Sequence, residues 1–400
     1  MSGQNEILKN GNPSEPPKSV GVSFEEYRKK APVILDVSRS AEERPRLFEV
    51  EGLSRYYKGR NAAFGMKRPT VHAVEDLSFS IYHGETLGLV GESGCGKSTV
   101  GRLLVGLERA SKGQILYRRE NGDILNIADA RKKELAPVRR EIQMVFQDNA
   151  AALNPRRHIF DLLAAPLLYH GMETGATVGK RVDELLNMVG LPANARTRYP
   201  HEFSGGQRQR IGIAKALSLK PRFIVCDEPV SSLDASIQAQ ILNLLLNLQR
   251  EHQLTYLFIG HGLPAVNYVS DRIAVMYLGR LVELGPSADI FSDPWHPYTR
   301  ALIHALPVPD PELRDRQKNP LEGELPSNLF PPSGCPFHPR CPEAEPSCSR
   351  ERPELLPLAL PLAEKTQSSP CSRRYLACPV MARRLHGERG SCCEEGHSDS

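Results

Sequence analysis

The chain has 400 residues, 40% hydrophobic and 24% charged, which is apolar enough for a real core in two or three structural units and excludes a compositionally disordered protein. A formal net charge of +4 is small for this length, so charge alone does not argue for a nucleic-acid partner. No apolar run approaches the roughly 18 residues that span a bilayer, and the N-terminus lacks the apolar core of a secretory signal, so the expectation is a chain that stays in the cytosol.

Residues 1–45 are rich in Lys, Glu, Ser and Pro without sustained periodicity and read as a mobile N-terminal extension. Over residues 47–305, strand-length apolar runs ("TLGLV", "FIVC", "YLFI", "IAVMY") alternate with helical patterns, which predicts an α/β domain with a largely parallel sheet. The first of these runs leads directly into "GESGCGKST", residues 91–99, and then into the helix-like "VGRLLVGL". Strand, glycine-rich loop and helix in that order form the context of a phosphate-binding P-loop. Gly91, Gly94 and Gly96 let backbone N–H groups converge on an anion, with Glu92, Ser93 and Cys95 between them. Lys97 supplies a point charge, Ser98 a magnesium ligand, and Thr99 completes the motif.

Further along, "EFSGGQRQRIGIAKAL" sets Ser204, Gly205, Gly206 and Gln207 ahead of a helical run, a second backbone nest suited to phosphate. One nucleotide needs only one such loop, so this nest has no assigned partner on its own chain. In "FIVCDEP" a strand ends in Asp227 and Glu228, at the sheet edge where α/β ligand sites gather. Asp227 can hold magnesium, directly or through water, and Glu228 can polarise an attacking water as general base. Ile237, Ile241, Leu244, Leu245 and Leu248 recur at helical spacing and predict the buried face of one helix.

After "LPVPDPEL" the composition shifts to Pro, Cys and charge, which sets a boundary near residue 309. The run "LLPLALPLA", residues 355–363, is short and broken by Pro357 and Pro361, so it is expected to pack on the core. Seven of the nine cysteines fall between Cys335 and Cys393. In a reducing compartment such clustering favours metal over disulfides. Cys335, Cys341, Cys348 and Cys378 make a set of four soft ligands suited to iron–sulfur or zinc, with spacings wider than the CxxC knuckle typical of structural zinc. Cys371 and His338 are spare ligands.

Taken in order, the P-loop, Gln147 in "MVFQD", "FSGGQ", "FIVCDEP", "SSLD" and His261 in "FIGHG" resemble the ATP-binding cassette of ABC transporters over about residues 47–290. The resemblance implies a P-loop ABC ATPase fold with a helical subdomain carrying the signature loop. It also implies that two cassettes pair head to tail, with the "SGGQ" loop of each closing on Mg-ATP held by the P-loop of the other. On that pattern Tyr57 stacks on adenine, with Tyr56 the competitor. Gln147 senses the γ-phosphate and magnesium near the membrane subunits, Asp234 joins the two cassettes, and His261 contacts the γ-phosphate. The chain departs from the family's Ser-His-Asp at Gly260-His261-Gly262, which loosens that loop, and carries Phe203 at the first signature position.

"VGESGCGKST", "LNPR" at residues 153–156, "VMYLGRLVE", "HPYTRALIHALPVPDP" and "GELPS…PPSGCPFHPRCP" narrow the resemblance to the ATPase subunits of dipeptide and oligopeptide importers, up to about residue 380. Relatives in that group also import nickel, glutathione or antimicrobial peptides. The resemblance implies an ABC domain over 46–308, a small Cys-rich C-terminal domain over 309–385, in which some members hold a [4Fe-4S] cluster, and a disordered tail over 386–400. The implied partners are a second ATPase subunit, two transmembrane permease subunits and, indirectly, a solute-binding protein, with no nucleic acid. The implied place is the cytoplasmic face of the cell membrane.

Overall fold

The computed structural model describes residues 44–59, 69–147, 152–305, 323–358 and 374–389. The expected N-terminal extension, the boundary near residue 309 and the tail after residue 389 lie outside them, as does the end of the 355–363 run.

The predicted apolar runs become the centre of an eight-stranded sheet. β3 (Thr86–Val90), β6 (Ile142–Val145), β7 (Phe223–Asp227), β8 (Thr255–Ile259) and β9 (Arg272–Tyr277) run parallel in the order β9-β3-β8-β7-β6. All residues of β3, β7, β8 and β9 are buried, as strands covered on both faces must be, which is why they read as continuous apolar runs. β10 (Arg280–Pro286) joins β9 antiparallel, and two short C-terminal strands, β11 (Leu356–Leu358) and β12 (Arg374–Leu376), extend the same sheet beyond it. Within β11, Leu358 is buried while Leu356 is exposed, so the described part of the 355–363 run packs on the core through one face only.

The expectation of a largely parallel sheet is incomplete. β1 (Arg46–Lys58), β2 (Thr70–Tyr82), β4 (Lys112–Arg118) and β5 (Ile124–Asn126) form a separate antiparallel sheet in the order β2-β1-β4-β5. Its strands alternate apolar and polar residues, as in "DLSFSIY", the pattern of a sheet with one face on a core. That core lies between the two sheets, where Phe48 meets Phe223 at 4.6 Å and Tyr117 at 4.9 Å.

The helices pack around these sheets. The P-loop is followed by α1 (Lys97–Leu104), and after β5 comes α2 (Lys132–Glu141). Between β6 and β7, α3 (Ile159–Tyr169) and α4 (Val178–Met188) pack on each other and on α5 (Gly205–Leu217), forming the expected helical subdomain around Leu163, Leu167, Val182 and Leu186. In α6 (Ala235–His252), Ile241, Leu245 and Leu248 are buried as predicted; Ile237 and Leu244 are only partly covered, and Leu242 and Gln249 take the remaining inward positions. α7 (Leu263–Val269) follows β8, α8 (Ser287–Ser292) and α9 (Pro297–His304) follow β10, and α10 (Pro379–Arg389) closes the described chain. Among the described residues no helix is long and apolar enough to cross a membrane.

Candidate active site

The P-loop, Asp227 with Glu228, and His261 emerge from the carboxyl ends of β3, β7 and β8, three adjacent parallel strands. This is the edge where open α/β sheets bind ligands. Gly91 and Gly96 are required by close packing. A Cβ on Gly96, at φ 107°, would sit 2.1 Å from the Ala73 carbonyl oxygen, and one on Gly91 the same distance from that of Met276. The first N–H groups of α1 have no intrahelical acceptor and face this loop. Lys97 is buried, its Nζ donating to the carbonyls of Gly91 at 2.8 Å and Glu92 at 3.0 Å, so the ammonium lies inside the loop that would receive a phosphate.

Ser98 Oγ donates to Asp227 Oδ1 at 2.9 Å across a separation of 129 residues. Burial pushes the Asp227 pKa up; the Ser98 bond opposes this and the Glu228 charge adds to it. A hydroxyl beside a carboxylate is the hard oxygen pair that suits magnesium, and bringing in a cation would relieve the same desolvation.

Glu228 gathers the other polar groups. Its Oε2 accepts from Gln147 Nε2 at 2.7 Å and lies 3.3 Å from His261 Nδ1. Its φ of 47°, uncommon for a non-glycine residue, is held by its N–H bond to the Ile259 carbonyl at 2.9 Å. A carboxylate fixed between an amide and an imidazole at the mouth of a phosphate loop has the placement of a general base.

A family model described as ABC transporter matches residues 74–231, and one described as the C-terminal region of oligopeptide/dipeptide transporters matches residues 282–348. A putative oligopeptide transport ATP-binding protein, YkfD of Bacillus subtilis, is 52% identical over 72% of this chain and 87% of its own length. The chain belongs to the ABC transporter ATP-binding family. Also similar is the oligopeptide transport ATP-binding protein OppF of Haemophilus influenzae, 49% identical over 77% of this chain and 92% of its own. Among solved structures, the dimeric post-hydrolysis state of the ATP-binding cassette MJ0796 bound to ADP and Pi superposes with a TM-score of 0.53 at 26% identity, covering 60% of this chain and 98% of that one. As a member of this family the chain is an ATPase.

In this ABC ATPase the signature loop opens α5. Ser204 caps α5, its Oγ accepting the Gln207 N–H at 3.3 Å while Gln207 Oε1 accepts the Ser204 N–H at 3.0 Å. Ser204 and Gly205 are exposed, and a Cβ on Gly206 would lie 2.4 Å from Ile237 Cγ2, so α5 rests on α6. Asp234 caps α6 by accepting from Ile237 N–H at 3.0 Å and Ser236 Oγ at 2.8 Å; those bonds hold its pKa down. Among the described residues, no hydrogen bond or ion pair joins Ser204, Gly205, Gly206, Gln207 or Asp234 to residues 91–99. Of the two tyrosines, Tyr57 bonds Glu108 with the Arg55 guanidinium 4.5 Å from its ring centre, while Tyr56 bonds Glu75 at 3.1 Å and meets the His72 ring edge at 4.9 Å.

The expected four-thiolate site finds no support. Cys335, Cys341, Cys348 and Cys378 are free; burial pushes Cys335 and Cys341 up to about 11 and raises Cys378 as well, with the charges of neighbouring cysteines adding to each. Yet among the described residues no group of three or more His, Cys, Asp or Glu side chains is arranged to hold a metal ion. Burial favours the thiols, and the described side chains alone do not assemble an iron–sulfur or zinc centre; the spare ligand Cys371 lies outside the described residues. What sequence reasoning missed lies nearby. Tyr298 Oη accepts the Glu92 N–H at 2.9 Å, Asn328 Nδ2 donates to the Gly94 carbonyl at 3.0 Å, and Arg340 clasps the Glu92 carboxylate. These residues lie more than 200 positions from the loop, and nothing in the runs that hold Tyr298 and Arg340, "HPYTRALIHALPVPDP" and "PPSGCPFHPRCP", marks them as P-loop contacts.

Proposed function

We propose that this chain is the ATP-hydrolysing subunit of a bacterial importer of di- and oligopeptides, peripheral on the cytoplasmic face of the cell membrane. Two cassettes pair head to tail, dock on two transmembrane permease subunits and are served indirectly by a solute-binding protein. The cassette spans residues 46–308, and the C-terminal domain, over 309–385, ends in a tail. The observation that carries the hydrolytic reading is the triple convergence of Gln147, Glu228 and His261 beside the Ser98–Asp227 pair. It favours a hydrolysing subunit over a purely regulatory one despite Gly260 and Gly262, because His261 reaches Glu228 without flanking Ser and Asp.

On this reading residues 91–99 and Lys97 bind the phosphates, Tyr57 stacks on the adenine, and Ser98, Asp227 and Gln147 hold magnesium, which when bound neutralises phosphate charge. Glu228 takes the proton of the attacking water, and His261 contacts the γ-phosphate. The exposed Ser204-Gly205-Gly206-Gln207 loop serves ATP on the opposite cassette, and closure and reopening of the pair pass to the permease. The peptide substrate is supported by the names of the similar proteins and by the match over residues 282–348. Co-purification from membranes tests the assembly: a tagged chain should bring down two permease subunits and a cassette partner. Recovery with ribosomes or DNA and no membrane protein would overturn it.

A further inference from the structure

Glu92 is tied at three points. Its N–H donates to Tyr298 Oη at 2.9 Å, its carbonyl accepts from Lys97 Nζ at 3.0 Å, and its carboxylate takes both terminal nitrogens of Arg340, at 2.8 and 3.1 Å. Two residues on, the Gly94 carbonyl accepts from Asn328 Nδ2 at 3.0 Å, and the Asn328 carbonyl accepts the His72 N–H at 3.0 Å. The loop is thus gripped from outside by Tyr298, Asn328 and Arg340.

The grip itself is rigid. Arg340 ends a short 3-10 turn (His338–Arg340) beside Phe337, which is fully buried against Tyr277 at 5.2 Å and Tyr298 at 5.4 Å. The Arg340 side chain is only 6% exposed, its Nη1 also lies 3.4 Å from Tyr277 Oη, and its Nε has no hydrogen-bond partner among the described residues. A guanidinium withdrawn this far from water is stable only while its carboxylate partner stays in place. A bidentate fork fixes the plane of that carboxylate as well as its distance.

We propose that Arg340 is a positioning residue for nucleotide binding: through Glu92, with Asn328 on Gly94, the C-terminal segment holds the P-loop in its phosphate-receiving shape. A loop with three glycines is otherwise free to sample many conformations, and ATP would have to order it on binding. Pre-ordering by Arg340 removes that cost, so Arg340 sets the affinity for ATP without touching it. The inference rests on residues 91–99 being the phosphate site.

The test uses the full chain with Arg340→Met, Glu92→Gln, the double variant and Arg340→Lys. Mg-ATP affinity is measured by calorimetry, and melting without nucleotide is followed in parallel. Each single change should weaken Mg-ATP about 10- to 100-fold, the range seen when a supporting residue behind a binding group is removed. The double variant should be no weaker than the worse single, because both remove one interaction. Arg340→Lys should recover only part, since an ammonium cannot take both oxygens. In the assembled transporter, Arg340→Met should raise KM for ATP and leave kcat at saturation little changed. A folded Arg340→Met with wild-type affinity would overturn the proposal, as would additive single effects. Should Arg340→Met fail to fold, wild-type affinity in Glu92→Gln decides against it equally. Failure of the wild-type chain to bind Mg-ATP would instead strike the phosphate site itself.

Discussion

Replacing Glu228 by Gln separates chemistry from binding. The side chain keeps its volume, and its amide oxygen can still accept from Gln147, now 2.7 Å from Oε2. Fold stability should therefore stay within about 0.5 kcal/mol of wild type, as for substitutions that leave packing intact. The proton acceptor, however, is gone. Loss of a positioned general base costs about 10²- to 10⁴-fold, or about 3–5 kcal/mol on the barrier at about 1.4 kcal/mol per tenfold. Lys97, Ser98 and Asp227 are untouched, and removing the Glu228 charge takes away one cause of the raised Asp227 pKa. Mg-ATP should accordingly bind as tightly as in wild type or more so. Phosphate release under single-turnover conditions and calorimetric titration read the two quantities independently. Hydrolysis at close to the wild-type rate would refute Glu228 as the base, and a matching loss of ATP binding would show the residue to be part of the nucleotide pocket instead.

Ser204→Arg should leave ATP binding to the isolated chain intact, at a cost of about 1 kcal/mol for the lost cap of α5. It should stop hydrolysis at the opposite site, where an unpaired charge would be desolvated on closure; normal turnover of the assembled transporter would reject the shared site. Tyr57→Ala should weaken ATP but not inorganic triphosphate, by about 1–3 kcal/mol if adenine stacks as bases do on aromatic side chains elsewhere; the same selective loss in Tyr56→Ala alone would move the adenine to Tyr56. Glu85 is fully buried, and burial pushes its pKa from the ordinary 4.5 up to about 7 against the opposing Arg272 charge. The folded state therefore holds this proton more tightly than the unfolded state, so its contribution to stability falls as pH rises from about 4.5 to about 7 and levels off above. Urea unfolding from pH 5 to 8 should show that decline flattened in Glu85→Gln, and an unchanged slope would exclude Glu85 as its source.

The parallel strands were legible because burial on both faces leaves unbroken apolar runs, as in "TLGLV" and "FIVC". The antiparallel sheet of β1, β2, β4 and β5 was not anticipated, since its strands signal by alternation, which register shifts along the β1–β2 pair interrupt. Lys97 and Ser98 could be named from the P-loop motif, and Asp227 and Glu228 from the end of an apolar strand, but the bond from Ser98 to Asp227 joins residues 129 apart and appears only in three dimensions. The Arg340 clasp on Glu92 spans 248 residues, and the motifs that hold the two residues do not reveal that they meet. The cysteine spacing reports which thiols exist, whereas ligation depends on how their side chains converge, and among the described residues they form no group arranged to hold a metal ion.

The central claim is that ATP hydrolysis by this chain drives a peptide across a membrane. The most direct measurement reconstitutes the complex co-isolated with this chain into liposomes, with Mg-ATP on the side of the cassettes and a labelled oligopeptide, with the solute-binding protein, on the other. Peptide should accumulate on the cassette side only with Mg-ATP, and a complex built with Lys97→Ala, which lacks the P-loop cation, should not transport. Hydrolysis without peptide movement, or transport of nickel with peptide excluded, would contradict the account.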